Sequence, residues 1–501
     1  MTVLFRDVLV FDRIAPGGLT SPTDVFVSGS RIAAVGSHPG TADTVVEGGG
    51  HHVLVPGLVN AHFHSSVNHL KGSLPSLPLE LFMLYESPSR ATRPSPREAY
   101  LRTMLGALDM LRSGTTAVQD DVFFLPTADP EIIDAVLEAY ADCGIRASVA
   151  LDQPELPELQ KLPYLEELAP AGLRAALSAP APHAGRELLE LYGYLFDRWH
   201  GAAGGRITAA VSISAPQRVS PEYFAALDAL SAHHDVPLYA HMLETRTQRL
   251  LAAEHPRFAG RSLVSYTAEL GLLTERMNVI HAIWVDDDDL DLIASAGAVV
   301  IHNPVSNLRL GSGVMPFRAM RERDITVALG VDEAIAGDAV DMWGVLKTAG
   351  LIHNVTGLDS DLWPGVGELL DAVWLGGAAA MLRSGELGEI RPGALADLVL
   401  LDLHTPPFTP LNDLAGQLVY CDPARSVALT MVDGVIVAEH GAVTSVDEPT
   451  LLAEARETFA AGQPQRQRER DGAAELLPTY QAMVRRGRAA DLHLSRSPVA
   501  G

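Results

Sequence analysis

The chain has 501 residues, of which 47% are hydrophobic and 20% are charged, so it can bury a large core and is not expected to be disordered. Its formal net charge of −25 argues against nucleic acid and anionic membranes as partners, because binding to either needs basic patches. The two cysteines exclude a disulfide framework. The sequence shows no signal-peptide pattern and no apolar run of the roughly 20 residues that span a membrane, so we expect a cytoplasmic protein.

Short strands separated by turn signals occupy residues 1–55, and the same pattern returns at residues 388–446. In the second stretch Asp433-Gly434 stands between two apolar runs, which is a strong hairpin signal. We therefore predict one β-sandwich domain, built from both chain ends, that flanks a central domain. Residues 447–501 read as a helical extension with locally basic segments. This extension could dock on the central domain or on a neighbouring subunit, or form a surface tail.

Residues 56–387 alternate apolar strands with helical patterns. The candidate strands after the first cover residues 115–121, 145–151, 207–214, 237–241, 278–282, 298–302 and 326–332. Helical patterns cover residues 96–113, 130–143 and 221–234. Eight strands with helical crossovers predict an α/β fold of the (β/α)₈ TIM-barrel class, in which chemistry takes place at the carboxyl ends of the strands.

The first of these strands ends in His62-Phe63-His64. Residues i and i+2 of a strand share one face, so His62 and His64 point the same way and form half of a transition-metal site. In a chain with eighteen histidines, a chance His-x-His pair is an equal alternative.

Later strand ends favour the metal site. His241, His281, His302 and Asp332 each lie at the end of a predicted strand, and Glu244 follows His241 by three residues. Singly, each has an ordinary explanation, such as a satisfied polar group or a helix N-cap. Together they predict a mononuclear site for one divalent ion, Zn²⁺ or alternatively Fe²⁺, with an open position for water.

These residue types suggest distinct roles. Such a metal lowers the pKa of water and creates a nucleophile near neutral pH. Glu244 is the candidate proton shuttle, although a first-turn helix acid is its alternative interpretation. His281 is placed to hydrogen-bond the nucleophile or polarise the substrate, and Asp332 can bind metal and accept a proton. No lysine ends the third or fourth strand, where a carbamylated lysine would bridge two ions; this favours one metal.

At this point the chain resembles the amidohydrolase superfamily, within the branch of triazine hydrolases, S-adenosylhomocysteine deaminases and guanine deaminases. The resemblance covers roughly residues 1–445. It is carried by Pro56-Gly-Leu-Val-Asn-Ala-His62-Phe-His64, His241-Met-Leu-Glu244, His281-Ala, His302-Asn-Pro-Val-Ser-Asn-Leu-Arg-Leu-Gly-Ser-Gly313, Gly330-Val-Asp332 and Gly388-Glu-Ile-Arg-Pro-Gly-Ala-Leu-Ala-Asp397-Leu-Val. It implies metal ligands at His62, His64, His241 and Asp332, with Glu244 and His281 handling protons. It also implies hydrolytic attack on a ring carbon that bears nitrogen or chloride.

The chain departs from that pattern in the loop after the first histidines, which reads Phe82-Met-Leu-Tyr85-Glu86 where a tryptophan is expected. Because this loop covers the substrate in the family, we expect Phe82, Tyr85 and Glu86 to contact it. His302, Asn303 and Gln119 are further candidate contacts. Glu333 stands beside Asp332 where Gly or Ser is usual, and the sequence leaves open whether it faces the site or solvent.

Three hypotheses follow. The first is hydrolytic deamination of an amino-substituted heterocycle, with Glu244 as proton shuttle. The second is hydrolysis of an amide, a urea or a chlorinated triazine-like ring by the same site. The third is an inactive barrel that serves as a binding protein. The expected partner is a small heterocyclic substrate, and we expect a homo-oligomer, either a dimer or a tetramer.

Overall fold

Strands from both ends of the chain enclose a central set in the computed structural model, which describes residues 1–13, 15–38, 40–88, 91–357 and 359–496. The N-terminal strands are β1 (Thr2–Val10), β2 (Thr23–Ser28), β3 (Arg31–Val35), β4 (Thr44–Glu47) and β5 (His52–Pro56). The central strands are β6 (Leu58–Phe63), β7 (Thr115–Phe123), β8 (Arg146–Asp152), β9 (Ile207–Ala209), β10 (Val211–Ser212), β11 (Leu238–Met242), β12 (Met277–His281), β13 (Val299–His302) and β14 (Val327–Leu329). The C-terminal strands are β15 (Leu398–Asp402), β16 (Val427–Val432), β17 (Val435–Glu439) and β18 (Ala442–Val443).

The strands of the two chain ends form one nine-stranded sheet. Its order is β18-β17-β16-β15-β5-β1-β2-β3, with β4 paired to β1. The two ends meet where β15 runs antiparallel to β5, with Leu400 opposite Leu54. Alternate residues of these strands, including Phe5, Leu54, Leu398 and Met431, point into one buried apolar cluster. Strands from residues 1–55 and from residues 388–446 are thus paired in one sheet.

The central strands form two parallel sheets, β6-β7-β8-β9 and β10-β11-β12-β13-β14. Backbone hydrogen bonds join the two sheets at both junctions. Asp332 N donates to His62 O at 3.0 Å, and Ala210 N donates to Val149 O at 2.8 Å. The strand ends of the first and last strands are thus held side by side, which positions the residues that follow them.

Two predicted strands are divided in the structure. Residues 53–64 form β5 and β6 with a break at Gly57, where a Cβ would lie 2.0 Å from Thr116 Oγ1. The close approach of the backbone to Thr116 lets the chain pass from the end sheet into the central one. Residues 207–214 form β9 and β10 with a break at Ala210, and the last strand, β14, is shorter than predicted.

The helices that cover the central strands begin and end at recognisable signals. Ser95 and Glu98 form a reciprocal capping box on Pro96–Arg112. Asp129 caps Pro130–Cys143, which ends at Gly144 in the left-handed conformation. Both helices and Pro221–His234 agree with the sequence prediction. The remaining helices within residues 56–446 are Leu79–Glu86, Leu165–Leu168, Ala171–Leu177, Gly185–Trp199, Ala202–Gly205, Arg246–Glu254, Leu263–Glu269, Asp287–Ala296, Pro304–Arg309, Phe317–Arg321, Ala334–Gly337, Met342–Ile352, Val366–Asp371, Gly377–Ala380 and Leu414–Tyr420.

The C-terminal extension consists of helices Glu448–Ala461, Gln463–Ala473 and Leu477–Ala489. The last of these packs on the same chain, where Tyr480 and Met483 join Leu81 and Leu165 in a buried apolar cluster. The extension therefore docks on its own chain, and residues 497–501 of the predicted segment lie outside the described residues. Among the described residues, no helix is both long and apolar enough to cross a membrane.

Candidate metal centre and active site

Four predicted ligand atoms converge at the carboxyl ends of the central strands. His62 Nε2 lies 3.2 Å and His64 Nε2 lies 3.5 Å from Asp332 Oδ1. His241 Nε2 lies 3.2 Å from His62 Nε2 and 3.3 Å from His64 Nε2. All four side chains are buried. The period-two argument for His62 and His64 therefore agrees with their geometry.

Each of these four side chains except His62 is held by a second contact on its other polar atom. His64 Nδ1 bonds the backbone carbonyl of Asp121, and His241 Nδ1 bonds the carbonyl of Ser214 at 2.8 Å. A carbonyl only accepts, so each of these Nδ1 atoms carries the proton and each Nε2 offers a lone pair. Ser306 Oγ donates to Asp332 Oδ2 at 2.6 Å, which directs the other oxygen, Oδ1, towards the histidines.

The spacing of these atoms suits one small divalent ion. Two ligand atoms that each lie about 2.0–2.2 Å from one ion are at most about 4.4 Å apart. The four observed separations of 3.2–3.5 Å fall within that limit. Burial lowers the pKa of His62 and of His241, which favours the neutral imidazoles that bind metals. Although burial opposes it, the hydrogen bond with His62 and the neighbouring histidines lower the pKa of Asp332 and keep it ionised.

Glu244 and His281 form a pair beside the four ligand atoms. Glu244 Oε2 lies 3.6 Å from His281 Nε2, and both side chains are buried. Asn307 Nδ2 donates to His281 Nδ1 at 3.0 Å, so a neutral His281 carries its proton on Nε2, facing Glu244. Burial lowers the pKa of His281 to about 3, which keeps the ring neutral. Burial, reinforced by the charges of Asp332 and Glu80, raises the pKa of Glu244 well above its usual value.

The backbone at these strand ends is unusual. His281 has a φ of 74° and Asp332 a φ of 70°, both in the left-handed region that non-glycine residues seldom adopt. Asp332 is fixed there by backbone hydrogen bonds with His62 and His64. Conformations of this kind persist where the surrounding structure imposes them, and they cluster at functional sites.

A cavity of 360 Å³, here called the site cavity, opens onto this group and is lined by His64, His241, Glu244, His281 and Asp332. Its volume is in the usual range for small-molecule sites. Glu86, one of the predicted substrate contacts, also lines it.

The other predicted contacts lie elsewhere. Phe82 is buried in an apolar cluster with Val67 and Ile335, and Tyr85 lines a smaller neighbouring cavity. Gln119 bonds the carbonyl of Ala380, inside the central sheets. His302 Nε2 pairs with His353 Nε2 at 3.2 Å. Asn303 points at His281 Nδ1 from 3.4 Å and so supports the site from behind.

Several residues that line the site cavity were not selected from the sequence. Asp152 ends β8, one residue beyond the predicted strand, and it lines the site cavity. A carboxylate at the end of a strand is the signal by which the sequence could have predicted this residue. Arg218 follows β10 through a short 3₁₀ turn and donates to Ser214 Oγ at 3.0 Å. A turn of this kind places a side chain over the end of a strand, and no hydrophobic periodicity in the sequence indicates that position. Leu476 and Tyr480 reach the cavity from the C-terminal extension.

One wall of the site cavity, here called the acidic wall, carries the carboxyl groups of Glu80, Glu86 and Glu333. Glu86 and Glu333 line the cavity, and their carboxyl groups lie close enough to interact electrostatically. Burial raises the pKa of both carboxyl groups, as expected for two acids that share one proton. Glu80 accepts from Thr245 Oγ1 at 2.6 Å on the same wall. Glu333 therefore faces the site and not the solvent.

Comparison with known proteins identifies relatives over most of the chain. The model of the amidohydrolase family matches residues 53–437. The 5-methylthioadenosine/S-adenosylhomocysteine deaminase of Nitratidesulfovibrio vulgaris is 34% identical over 408 residues, which cover 81% of this chain and 84% of that protein. The 5'-deoxyadenosine deaminase of Methanothermobacter thermautotrophicus is 30% identical, covering 85% and 92%.

Solved structures show the same fold. An adenosine deaminase from Xanthomonas campestris with bound zinc superposes with a TM-score of 0.78 at 25% identity, covering 94% of this chain and 98% of that one. A zinc-bound atrazine chlorohydrolase from Arthrobacter aurescens TC1 gives a TM-score of 0.78 at 22% identity, covering 91% and 100%. The predicted family is confirmed by these matches, and the His/Asp cluster can hold a divalent metal ion.

Proposed function

Because the chain belongs to the amidohydrolase family, we propose that it is a metal-dependent deaminase of adenosine-type nucleosides. The observation that carries the proposal is the convergence of three imidazoles and one carboxylate beside the Glu244–His281 pair, inside a cavity of 360 Å³. The relatives named above as deaminases of adenosine derivatives supply the substrate class.

We assign His62, His64, His241 and Asp332 as the metal ligands. A divalent ion at this site, Zn²⁺ in our proposal because a set of imidazoles and one carboxylate suits it, would lower the pKa of water and supply a nucleophile near neutral pH. The substituted carbon would gain the water oxygen, and ammonia would leave.

Glu244 is proposed to hold and move the proton. Its raised pKa lets the carboxyl group carry a proton near neutral pH, and its position beside His281 places it at the reacting end of the cavity. It would give this proton to the ring nitrogen next to the attacked carbon. His281, with its proton on Nε2, would donate a hydrogen bond to the oxygen that develops charge at that carbon.

The acidic wall is proposed to orient the substrate. The carboxyl groups of Glu80 and Glu86 present oxygen atoms that accept hydrogen bonds, so they favour groups that donate them. The hydroxyl groups of a nucleoside sugar are donors of this kind. A triazine with alkylamino and chloro substituents offers fewer such donors, so the wall favours a nucleoside over a triazine.

We further propose the architecture predicted from the sequence. The two parallel sheets would form one closed (β/α)₈ barrel over residues 56–387, supported by the backbone bonds that join them at Asp332 and Ala210. Residues 1–55 and 388–446 would form a sandwich around the apolar cluster at Leu54, with residues 447–501 as an extension. The two free cysteines support a cytoplasmic location. A homo-oligomer stays a prediction.

The proposal is tested by incubating the zinc-loaded protein with 5'-deoxyadenosine, 5-methylthioadenosine, S-adenosylhomocysteine, guanine and atrazine. We expect ammonia release from at least one adenosine derivative, with a product in which a hydroxyl or keto oxygen replaces the amino group. Chloride release from atrazine without deamination of any nucleoside would contradict the proposed substrate class. Enzyme heated to inactivation serves as the control.

A further inference from the structure

A second, smaller cavity of 80 Å³ lies beside the site cavity, and we call it the arginine cavity. Three arginines line it, which is unusual in a chain of net charge −25: Arg102 from helix Pro96–Arg112, and Arg466 and Arg470 from helix Gln463–Ala473. His69 also lines it. The cavity therefore lies between the segment that follows His62 and His64 and the C-terminal extension.

The Arg102 guanidinium is poorly compensated. Its Nε is buried and has no hydrogen-bond partner, and no carboxylate within the described residues forms an ion pair with it. Burial lowers the pKa of Arg102 to about 10; the charge of Glu98 and that of Glu469 oppose this shift, and the charge of Arg466 adds to it. Ser66 Oγ, on the same wall, is also buried without a partner. Unpaired buried donors of this kind are costly unless a ligand satisfies them.

The acidic groups near the cavity are engaged elsewhere or outnumbered. Glu469 lines the cavity and accepts from Thr92 N at 3.0 Å, while Glu98 accepts from the backbone of Ser95 at 2.8 Å. Glu86, whose pKa is raised by burial, lies beside the carboxyl group of Glu333. Three guanidinium groups thus line the cavity together with two carboxyl groups, those of Glu86 and Glu469.

We propose that the arginine cavity binds a small oxyanion, a phosphate or a carboxylate group, through Arg102, Arg466 and Arg470. Guanidinium groups are the side chains best suited to bidentate binding of either group. The cavity has room for a few water molecules and hence for one such group. The ligand would offset the mutual repulsion of the arginines and so hold helix Gln463–Ala473 against Arg102.

The site is positioned to affect the neighbouring cavity. Glu86, Phe123, Phe124, Leu125 and Thr127 line both cavities. The helix that follows the two arginines, Leu477–Ala489, contributes Tyr480 to the site cavity. Bound oxyanion would therefore stabilise one wall of the site cavity through the C-terminal extension.

The test is the melting temperature of the zinc-loaded full chain with increasing phosphate, against sodium chloride of equal ionic strength. We expect saturating phosphate to raise the Tm by about 3 °C. Arg466→Gln/Arg470→Gln should abolish this rise, and it should melt no lower than the wild type without phosphate because like charges have been removed. Arg102→Gln provides a second variant with the same expectation.

Arg468→Gln is the matched control, because Arg468 is an exposed residue of the same helix and should leave the rise intact. Acetate in place of phosphate distinguishes the two oxyanion classes, and a saturable response to either supports the proposal. An equal Tm rise in the double variant, or no rise with either anion in the wild type, would overturn it. These readouts need no turnover, so they stand apart from the proposed deaminase activity.

Discussion

Replacement of Glu244 by glutamine tests the proposed proton shuttle. The substitution keeps the shape of the side chain but removes its ability to carry a proton. Glu244 is only 3% exposed, so bulk water and buffer have little access to replace it. Positioned acid–base groups contribute about 10²–10⁴-fold to rate. We expect kcat to fall by about 10³-fold, equivalent to about 4 kcal/mol of activation free energy.

The assay is ammonia release under saturating substrate, together with the metal content of the same preparation. Metal content should stay at the wild-type level, because Glu244 contributes none of the four converging ligand atoms. Ser312→Ala is the matched control: Ser312 Oγ donates to Glu244 Oε1 at 3.3 Å, a long bond whose loss should cost no more than about tenfold. If Glu244→Gln kept more than about a tenth of the activity, or lost its metal, the assignment would be wrong.

Three further predictions address the ligands, the pH dependence and the fold. His241→Ala should lose most of the bound metal by elemental analysis while its far-ultraviolet circular dichroism is unchanged; full occupancy would refute the ligand assignment. Burial lowers the pKa of His353 to about 4, against about 6.5 unfolded, so folding favours its neutral form and stability falls as pH drops from 6.5 to 4. In His353→Gln, the loss of unfolding free energy between pH 6.5 and pH 4, measured by urea unfolding, should be about 3 kcal/mol smaller than in the wild type. An identical loss in both proteins would show that His353 is not its cause. Gly57→Ala should destabilise by about 1–3 kcal/mol, because its Cβ would overlap Thr116; an unchanged urea midpoint would show that the approach is not tight.

The convergence of the four proposed ligand atoms was predictable because it depends on local periodicity. A strand ending at His64 must place His62 on the same face, and parallel strands bring their ends to one edge. His241 and Asp332 could therefore be grouped with them before any contact was known. Their agreement with the structure reflects a pattern that the sequence carries residue by residue.

The acidic wall was less predictable because residues 79–86 form a helix where the sequence analysis predicted a loop. In a helix the residues of one face recur every three to four positions, so Glu80, Met83 and Leu84 share the face that lines the site cavity, while Phe82 packs in the core on another face. Arg218 was missed for a related reason, since its place depends on the turn after β10. The Glu86–Glu333 pair joins residues far apart in the chain, and no local pattern predicts it.

Removal and restoration of the metal tests the central claim most directly. The wild-type protein is stripped with a chelator, dialysed, and assayed for ammonia release from 5'-deoxyadenosine before and after stoichiometric Zn²⁺ is added. We predict that activity disappears with the metal and returns when about one ion per chain has bound, as expected for the single site formed by His62, His64, His241 and Asp332. Undiminished deamination by the stripped protein would contradict the account.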